Sequence, residues 1–343
     1  MGGGIRGNVF MKIRLDHKFK DLIGIDNLLI AWQEFLRGKR NKKDVQQFQF
    51  SLMDNMLSLH YDLFNQAYRH GGYKEFNISD PKPRIIHKAT VRDRLLHHAV
   101  YRILYPFFDD KFISDSFSCR DNKGTHRAIK RFEEFYRKVS KNKTKTCWVL
   151  KCDIKNFFHS INQQVLMEIL EEYISDRNII NLLQEIITSF YYTKEGFGLP
   201  LGNLTSQLFS NVYMNKFDQF VKHKLKIKYY IRYADDFVIL SENKNYLKEK
   251  IPLIRDFLQK ELSLVLHSDK IYIKTLYSGI DFLGWVNFKH HKTIRNTTKK
   301  RIFKKIKKNS NSKTLSSYLG ILKHGNTKKI KSAILKLYVD FLL

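Results

Sequence analysis

The sequence predicts an α+β fold, and two observations carry that expectation. Short strand-like runs such as WVLKCDI (148–154) and IRYADDFVIL (231–240) are interspersed with longer helical periods, without the strict βαβ succession of a doubly wound sheet. Hydrophobic residues make up 43% and aromatics 14% of 343 residues, enough for a substantial core.

The elements follow in order. MGGGIRGNVFMKIRL lacks the apolar core of a secretion signal, and its Gly-rich opening makes Met11 a second candidate start. Residues 16–70 read as helical: Leu22, Ile23, Leu28, Leu29, Trp32 and Phe35 recur at near-helical spacing, and the charged run RGKRNKKD separates a first helix from a second. Glycines, Pro81 and Pro83 punctuate GGYKEFNISDPKPRIIHKA into short strands. Helices are expected through VRDRLLHHAVYRILYPFF and THRAIKRFEEFYRKVSKN, then a strand, WVLKCDI, delivering Asp153 at its end. Helices occupy 162–190, GFGLPLGN is a Gly-rich loop, and LTSQLFSNVYMNKFDQFVKHKL is a helix. IRYADDFVIL reads as a hairpin with Ala-Asp-Asp at its tip. Residues 245–262 are helical and VLHSDKIYI and IDFLGWVNF are strands. Basic amphipathic helices complete the chain, with Ile302, Phe303, Ile306, Leu315, Tyr318, Leu319 and Leu322 inward and lysines outward.

Charge narrows the partner. Lys plus Arg number 62 against 33 Asp plus Glu, a formal +29, far beyond what solubility needs, so a polyanion is expected. Residues 289–343 hold 16 Lys or Arg and one acid, Asp340. Nucleic acid leads; a ribosomal-type protein or a solvated basic tail are the alternatives. An anionic membrane is the other polyanion, but no apolar run approaches the roughly 20 residues of a spanning helix. Cys119, Cys147 and Cys152 form neither a disulfide framework nor a zinc spacing and suit a reducing cytoplasm.

Asp235 and Asp236 raise the chemical question. Asp-Asp is ordinary turn chemistry, yet paired carboxylates on a rigid hairpin also suit hard divalent cations. Asp153, at another strand's end, adds a third. Together they could hold two ions about 4 Å apart, the arrangement that activates an attacking oxygen and stabilises a leaving one in phosphoryl transfer.

In order along the chain, KPRIIHKATVRDR, FSCRDNKGTHRA, LKCDIKNFFHSI, GLPLGNLTSQ, RYADDF, HSDKIYI and DFLGW resemble the motifs of reverse transcriptases over roughly residues 80–290. The resemblance implies a right-hand polymerase: an N-terminal helical extension (1–70), fingers (71–145), a palm with interleaved fingers segments (146–288) and a short, basic helical thumb (289–343). It implies that Asp153, Asp235 and the supporting Asp236 bind two Mg2+ ions, with Mn2+ as a substitute and the Ile154 backbone as a further ligand. It assigns Lys82, Arg84 and Arg120 to the incoming triphosphate, Phe158 to a steric gate against the 2′-hydroxyl, Leu201, Gly202 and Gln207 to the nucleotide site, and Lys270 to protonation of pyrophosphate. Leu283, Gly284 and Trp285 resemble a primer grip. Surface charge for the cations, and core packing for the aromatic and strand residues, are the plainer readings.

Many reverse transcriptases carry Gln in LPQG; here Leu201 stands in LPLG, followed by Ser206-Gln207. That departure, with SSYLGILKH, is similar to the enzymes of diversity-generating retroelements, which copy a template RNA with errors at adenines. This likeness implies a bacterial or phage-encoded cytoplasmic enzyme taking template RNA, an RNA or DNA primer and dNTPs, with a small basic helical accessory variability protein as partner. A defence-associated or unclassified bacterial reverse transcriptase, or a non-catalytic RNA-binding scaffold on the same fold, are the alternatives.

Overall fold

The computed structural model describes residues 13–79, 83–308 and 311–342. Lys82 lies outside the described residues. The chain runs α1 (Phe19–Ile23), α2 (Ile25–Phe35), α3 (Lys43–Phe50), α4 (Leu52–Phe64), β1 (Lys74–Ile78), β2 (Arg84–Lys88), α5 (Val91–Asp109) and α6 (Thr125–Val139). Then come β3 (Trp148–Asp153), α7 (Phe157–Ser160), α8 (Gln163–Glu171), α9 (Arg177–Thr188), α10 (Leu204–Gln219), β4 (Tyr230–Tyr233), β5 (Asp236–Ser241) and α11 (Lys244–Leu262). β6 (Tyr272–Thr275), β7 (Ile280–Phe282), β8 (Trp285–Asn287), β9 (Lys292–Ile294), α12 (Asn296–Lys308), α13 (Ser312–Leu322) and α14 (Lys328–Leu342) complete it.

Two compact units emerge, each discontinuous in sequence. The first takes the described residues up to Phe112, Asn156–Asp218 and Lys260–Leu264. Its N-terminal helices number four rather than the two expected. Gly24 (φ −53°, ψ 141°) ends α1 and begins α2, and Ser51 (φ −115°, ψ 48°) separates α3 from α4, so one non-helical residue interrupts each predicted helix. Leu28, Ala31, Trp32 and Phe35 of α2 are buried, as are Leu95, Leu96, Ala99, Val100 and Leu104 of α5, the helix it packs against. Each of the larger of these side chains contributes roughly 1.5–3 kcal/mol of burial. Thr90 caps α5 by accepting from the Asp93 amide at 3.2 Å. β1 and β2 pair antiparallel from Lys74↔Lys88 to Ile78↔Arg84.

The second unit takes Ile113–Lys155, Gln219–Gln259 and Val265–Leu343. Its principal sheet is antiparallel, in the order β4-β5-β3-β6. Val149, Ile231, Val238 and Leu240 on one face meet Ala128, Phe132, Phe135, Tyr136 and Val139 of α6, the apolar stripe that THRAIKRFEEFYRKV writes at helical spacing. VLHSDKIYI is shorter as a strand than expected: Leu266 makes a single antiparallel bridge to Ile154, Ser268–Lys270 is a single 3₁₀ turn, and the named strand begins only at Tyr272. β7-β8-β9 form a smaller sheet whose Trp285 and Ile294 join Ile302, Ile306, Tyr318, Leu322 and Ile334 of α12–α14 in a second core. Phe303 and Leu315 pack on its edge; Leu319, also expected inward, is only half-buried. Gly325 is required here, because a Cβ on it would lie 2.1 Å from the Trp285 ring.

Candidate active site

Three acidic residues meet at one end of the four-stranded sheet. Asp153 closes β3, Asp236 opens β5, and the two are direct register partners. Ala234 and Asp235 form a two-residue connection, with Tyr233 opposite Asp236. Ala234 has φ +54°, the left-handed first position that a type II′ hairpin requires. The acid pair read as one tip is therefore divided: Asp235 sits in the turn and Asp236 in the strand, because the register leaves room for only two turn residues. The Ile154 amide donates to the Asp235 carbonyl at 3.2 Å and fastens the end of β3 to that turn. On its other side, the His267 amide donates to the Asp153 carbonyl at 2.8 Å.

Like charges directly opposite in a sheet repel, and two lysines compensate here. Lys151 Nζ lies 3.3 Å from Asp236 Oδ2, and Lys270 Nζ donates to Asp153 Oδ1 at 3.0 Å. Burial still pushes the Asp236 carboxyl up to about 7; Lys151 opposes the shift, while Asp153 and Asp235 add to it. Asp236 Oδ1 is buried without a hydrogen-bond partner.

Arg232 braces the turn from below. It is fully buried, and its guanidinium donates to the Ala234 carbonyl at 3.1 Å and to Ser116 Oγ at 3.0 Å. Its backbone bonds the 115–117 segment in both directions: Arg232 N–H to the Asp115 carbonyl and Phe117 N–H to the Arg232 carbonyl, each at 3.0 Å. Neither Arg232 nor Lys151 was given a role from the sequence. A charged residue inside the apolar run YYIRY was the available signal for Arg232; Lys151 gave none beyond its place two residues before Asp153.

The donor set suits a hard divalent cation. Carboxylate and main-chain oxygens are its preferred ligands, and both an unpartnered buried carboxylate oxygen and two ammonium groups on the acids mark a demand for positive charge. Among the described residues, no three His, Cys, Asp or Glu side chains already close around a single metal position.

Within the same unit, Lys270 is the residue paired with Asp153. Arg120 turns its guanidinium to the carbonyls of Ile113 and Ser116, at 2.7 and 3.1 Å. Leu283 and Gly284 form the tight β7–β8 turn at φ +52° and +85°, with Phe282 paired to Trp285. Trp285 is core and half-buried Leu283 packs on it, so the expected grip residues also hold the fold.

The first unit holds the others. Phe157 is buried and Phe158 is only half-buried, which separates two neighbours that the sequence left equivalent. The Phe158 carbonyl accepts from Leu199 N–H at 2.9 Å, joining α7 to the Gly-rich loop. That loop runs beside β2: His87 N–H donates to the Leu201 carbonyl at 2.9 Å, and Asn203 Nδ2 to the His87 carbonyl at 3.0 Å. Gly202 (φ +108°) leaves no space for a Cβ, which would lie 2.6 Å from Ile86. Leu201 and Gln207 are half-buried, and Arg84 is exposed at the start of β2.

The model of the family described as reverse transcriptase (RNA-dependent DNA polymerase) matches residues 77–287. The chain belongs to the reverse transcriptase family. Its α+β architecture is thus the right-hand polymerase fold of reverse transcriptases, and the matched span includes the three acidic residues. Among similar proteins, YkfC of Escherichia coli (strain K12) is 25% identical over 257 residues, covering 63% of this chain and 65% of YkfC. The group II intron-encoded protein LtrA of Lactococcus lactis subsp. cremoris is 22% identical over 289 residues, covering 64% of this reverse transcriptase and 47% of LtrA. The chain therefore spans just under two thirds of the first relative and under half of the second. Apo telomerase from Candida tropicalis, truncated from its C-terminal domain, matches at a TM-score of 0.49 and 16% identity over 71% of this chain and 60% of that one. No described helix is long and apolar enough to cross a membrane.

Proposed function

We propose that this chain is an RNA-directed DNA polymerase that extends a primer on template RNA by two-metal nucleotidyl transfer from dNTPs. The observation that carries the reading is the register pairing of Asp153 with Asp236 beside the Asp235 turn, three acids meeting at one end of a rigid sheet. Asp153, Asp235 and the Ile154 carbonyl would hold Mg2+, or Mn2+ in its place. Bound there, the ions supply Lewis-acid stabilisation of the attacking and leaving oxygens. Asp236 supports the site from its buried position against Lys151.

In this reading 71–145 act as fingers, 146–288 as palm and 289–343 as thumb, behind the helical extension 1–70. Lys82, Arg84 and Arg120 offset the charge of the triphosphate. Half-buried Phe158 excludes a 2′-hydroxyl, with Gly202 and Gln207 lining the nucleotide site. Lys270 leaves Asp153 to protonate pyrophosphate. Leu283, Gly284 and Trp285 position the primer, and lysines of the thumb contact phosphates of the duplex.

The finer proposal is a diversity-generating retroelement enzyme that makes adenine-mutagenic cDNA with an accessory variability protein. Leu201 and the Ser206-Gln207 pair support it: an isobutyl group in place of an amide removes a hydrogen-bonding check and leaves shape, which discriminates modestly. An intron-type reverse transcriptase is the second reading, favoured by the likeness to LtrA.

Sequencing of cDNA made on a defined RNA with magnesium and dNTPs, beside Asp235→Ala, tests all of this. Asp235-dependent cDNA with errors at adenines, reduced by Leu201→Gln, supports the full proposal. Accurate cDNA favours the intron-type reading. No cDNA from either protein, even with cognate RNA and accessory protein supplied, overturns the polymerase.

A further inference from the structure

At the end of the four-stranded sheet opposite the carboxylates, the second unit carries a cationic pocket to which the polymerase reading assigns nothing. It encloses about 330 Å³ and is lined by Lys138 and Lys141 at the end of α6, Lys226, Lys228 and Tyr229 before β4, and Glu242 and Tyr246 beyond β5. β5 itself measures the separation: Asp236 pairs with Asp153 at one end and Ser241 with Trp148 at the other, five residues or about 17 Å away. A ligand here does not touch the acids.

The four lysines are exposed and form no ion pair among the described residues, whereas neighbouring Lys222 is neutralised by Asp115 at 3.3 Å. They are carried by built loops rather than a free tail. Lys141, Asn142 and Lys143 follow one another in the left-handed region (φ +48°, +55° and +72°), as does Lys226 (φ +51°). These strained turns are pinned by Asn142 N–H to the Arg137 carbonyl (2.8 Å), Lys143 N–H to Ser140 Oγ (2.9 Å) and Ile227 N–H to the Val221 carbonyl (3.0 Å). Clustered cations without counter-ions, beside two tyrosine rings, suit a chain that repeats phosphates and bases. An anionic membrane fits less well, because the apolar lining residues Val139, Ile227 and Leu240 are buried and offer nothing to insert.

We propose that this pocket binds a segment of single-stranded phosphodiester chain, as a site separate from the catalytic one. Phosphates lie on Lys138, Lys141, Lys226 and Lys228, and bases lie against Tyr229 and Tyr246. Glu242, the one acid in the lining, accepts a hydrogen bond from a ribose 2′-hydroxyl, which favours RNA over DNA. The site stands whether or not the chain polymerises, since its test reads binding.

The test uses the full chain saturated with an unlabelled primer–template duplex, then titrated with labelled oligouridine or its deoxy counterpart across a salt series. The variant is Lys138→Ala/Lys141→Ala/Lys226→Ala/Lys228→Ala. The expected result is oligonucleotide binding at least tenfold weaker in the variant, with a log–log salt slope shallower by about 3, since each single-strand phosphate contact contributes roughly 0.7. 4-Thiouridine crosslinks should fall on Tyr229 or Tyr246. A weaker deoxy strand supports the Glu242 contact to the 2′-hydroxyl, and equal binding of the deoxy strand would refute that contact and the preference for RNA. Unchanged affinity and slope, no oligonucleotide bound by the duplex-saturated protein, crosslinks confined to α12–α14, or loss of binding to anionic vesicles instead would overturn the site.

Discussion

Replacing Arg232 with methionine tests how the acid-bearing hairpin is held. Methionine keeps much of the apolar stem, but strands the Ala234 carbonyl and the Ser116 hydroxyl that the guanidinium reaches at 3.1 and 3.0 Å. A buried polar group left without its partner costs about 1–3 kcal/mol, so the two together cost roughly 2–6 kcal/mol, a range that includes the roughly 3–5 kcal/mol lost when a buried charged pair is broken. The side chain and its bond to Ser116 are fully buried, so solvent cannot replace that bond, whereas the part-buried Ala234 carbonyl sets the lower end of the range. Amide hydrogen exchange is the assay of choice, because a chain with two compact units has no single unfolding free energy. Protection of the Phe237 to Leu240 amides should fall by roughly 1.5 to 4.5 orders of magnitude, while α2 and α5, in the other unit, keep theirs. Nucleotide incorporation should fall in parallel as the Asp235 turn loosens. Wild-type protection across β4 and β5 in the Met variant would refute the bracing role.

Three further outcomes are expected. Gly325→Ala pushes a methyl to within 2.1 Å of the Trp285 ring, an overpacking that costs about 1–3 kcal/mol; weakened amide protection in α12–α14 and a shifted tryptophan emission check it. Phe158→Val should raise incorporation of ribonucleotides relative to deoxyribonucleotides at least tenfold in single-nucleotide extension. His97 and His98 are both held low by burial, to about 3 and about 4, with His70 beside the first and Lys39 and Arg94 beside the second adding to the shift. The unfolded chain therefore takes up these protons first: their contribution to stability is complete above about pH 6.5 and is lost as pH falls from there toward 4. The half-exposed His98 accounts for roughly 2 kcal/mol of that loss after allowance for solvent, and His98→Gln should flatten the pH dependence of amide protection in α5 over that window.

Asp153 was legible because an apolar strand ended on it, and Asp235 and Asp236 because two β-rich runs flanked them. What the sequence did not carry was the register. One residue of slip decides whether Asp236 is a turn residue in water or a strand residue pushed toward neutrality by burial, and register depends on partners far along the chain. Phe157 and Phe158 were indistinguishable for the same reason: adjacent rings of equal hydrophobicity are sorted only by what packs on them. Gly24 and Ser51 broke helices that periodicity carried through, since apolar spacing persists across one non-helical residue. Lys151 read as one lysine among many and Lys270 as a proton donor to pyrophosphate, and only the pairing of β3 with β5, and the turn before β6, make each a counter-charge to an acid.

The three free cysteines have a practical consequence. Cys147 and Cys152 are buried, and that burial pushes both thiols up, the first to about 12, so neither offers a thiolate near neutrality. Cys119 alone is exposed, in the FSCRDNKG segment next to Arg120. The chain thus comes with a single native attachment point: a maleimide dye would report from that loop without any engineered mutation, and an energy-transfer partner on the nucleic acid would then turn docking and release into a distance signal, molecule by molecule.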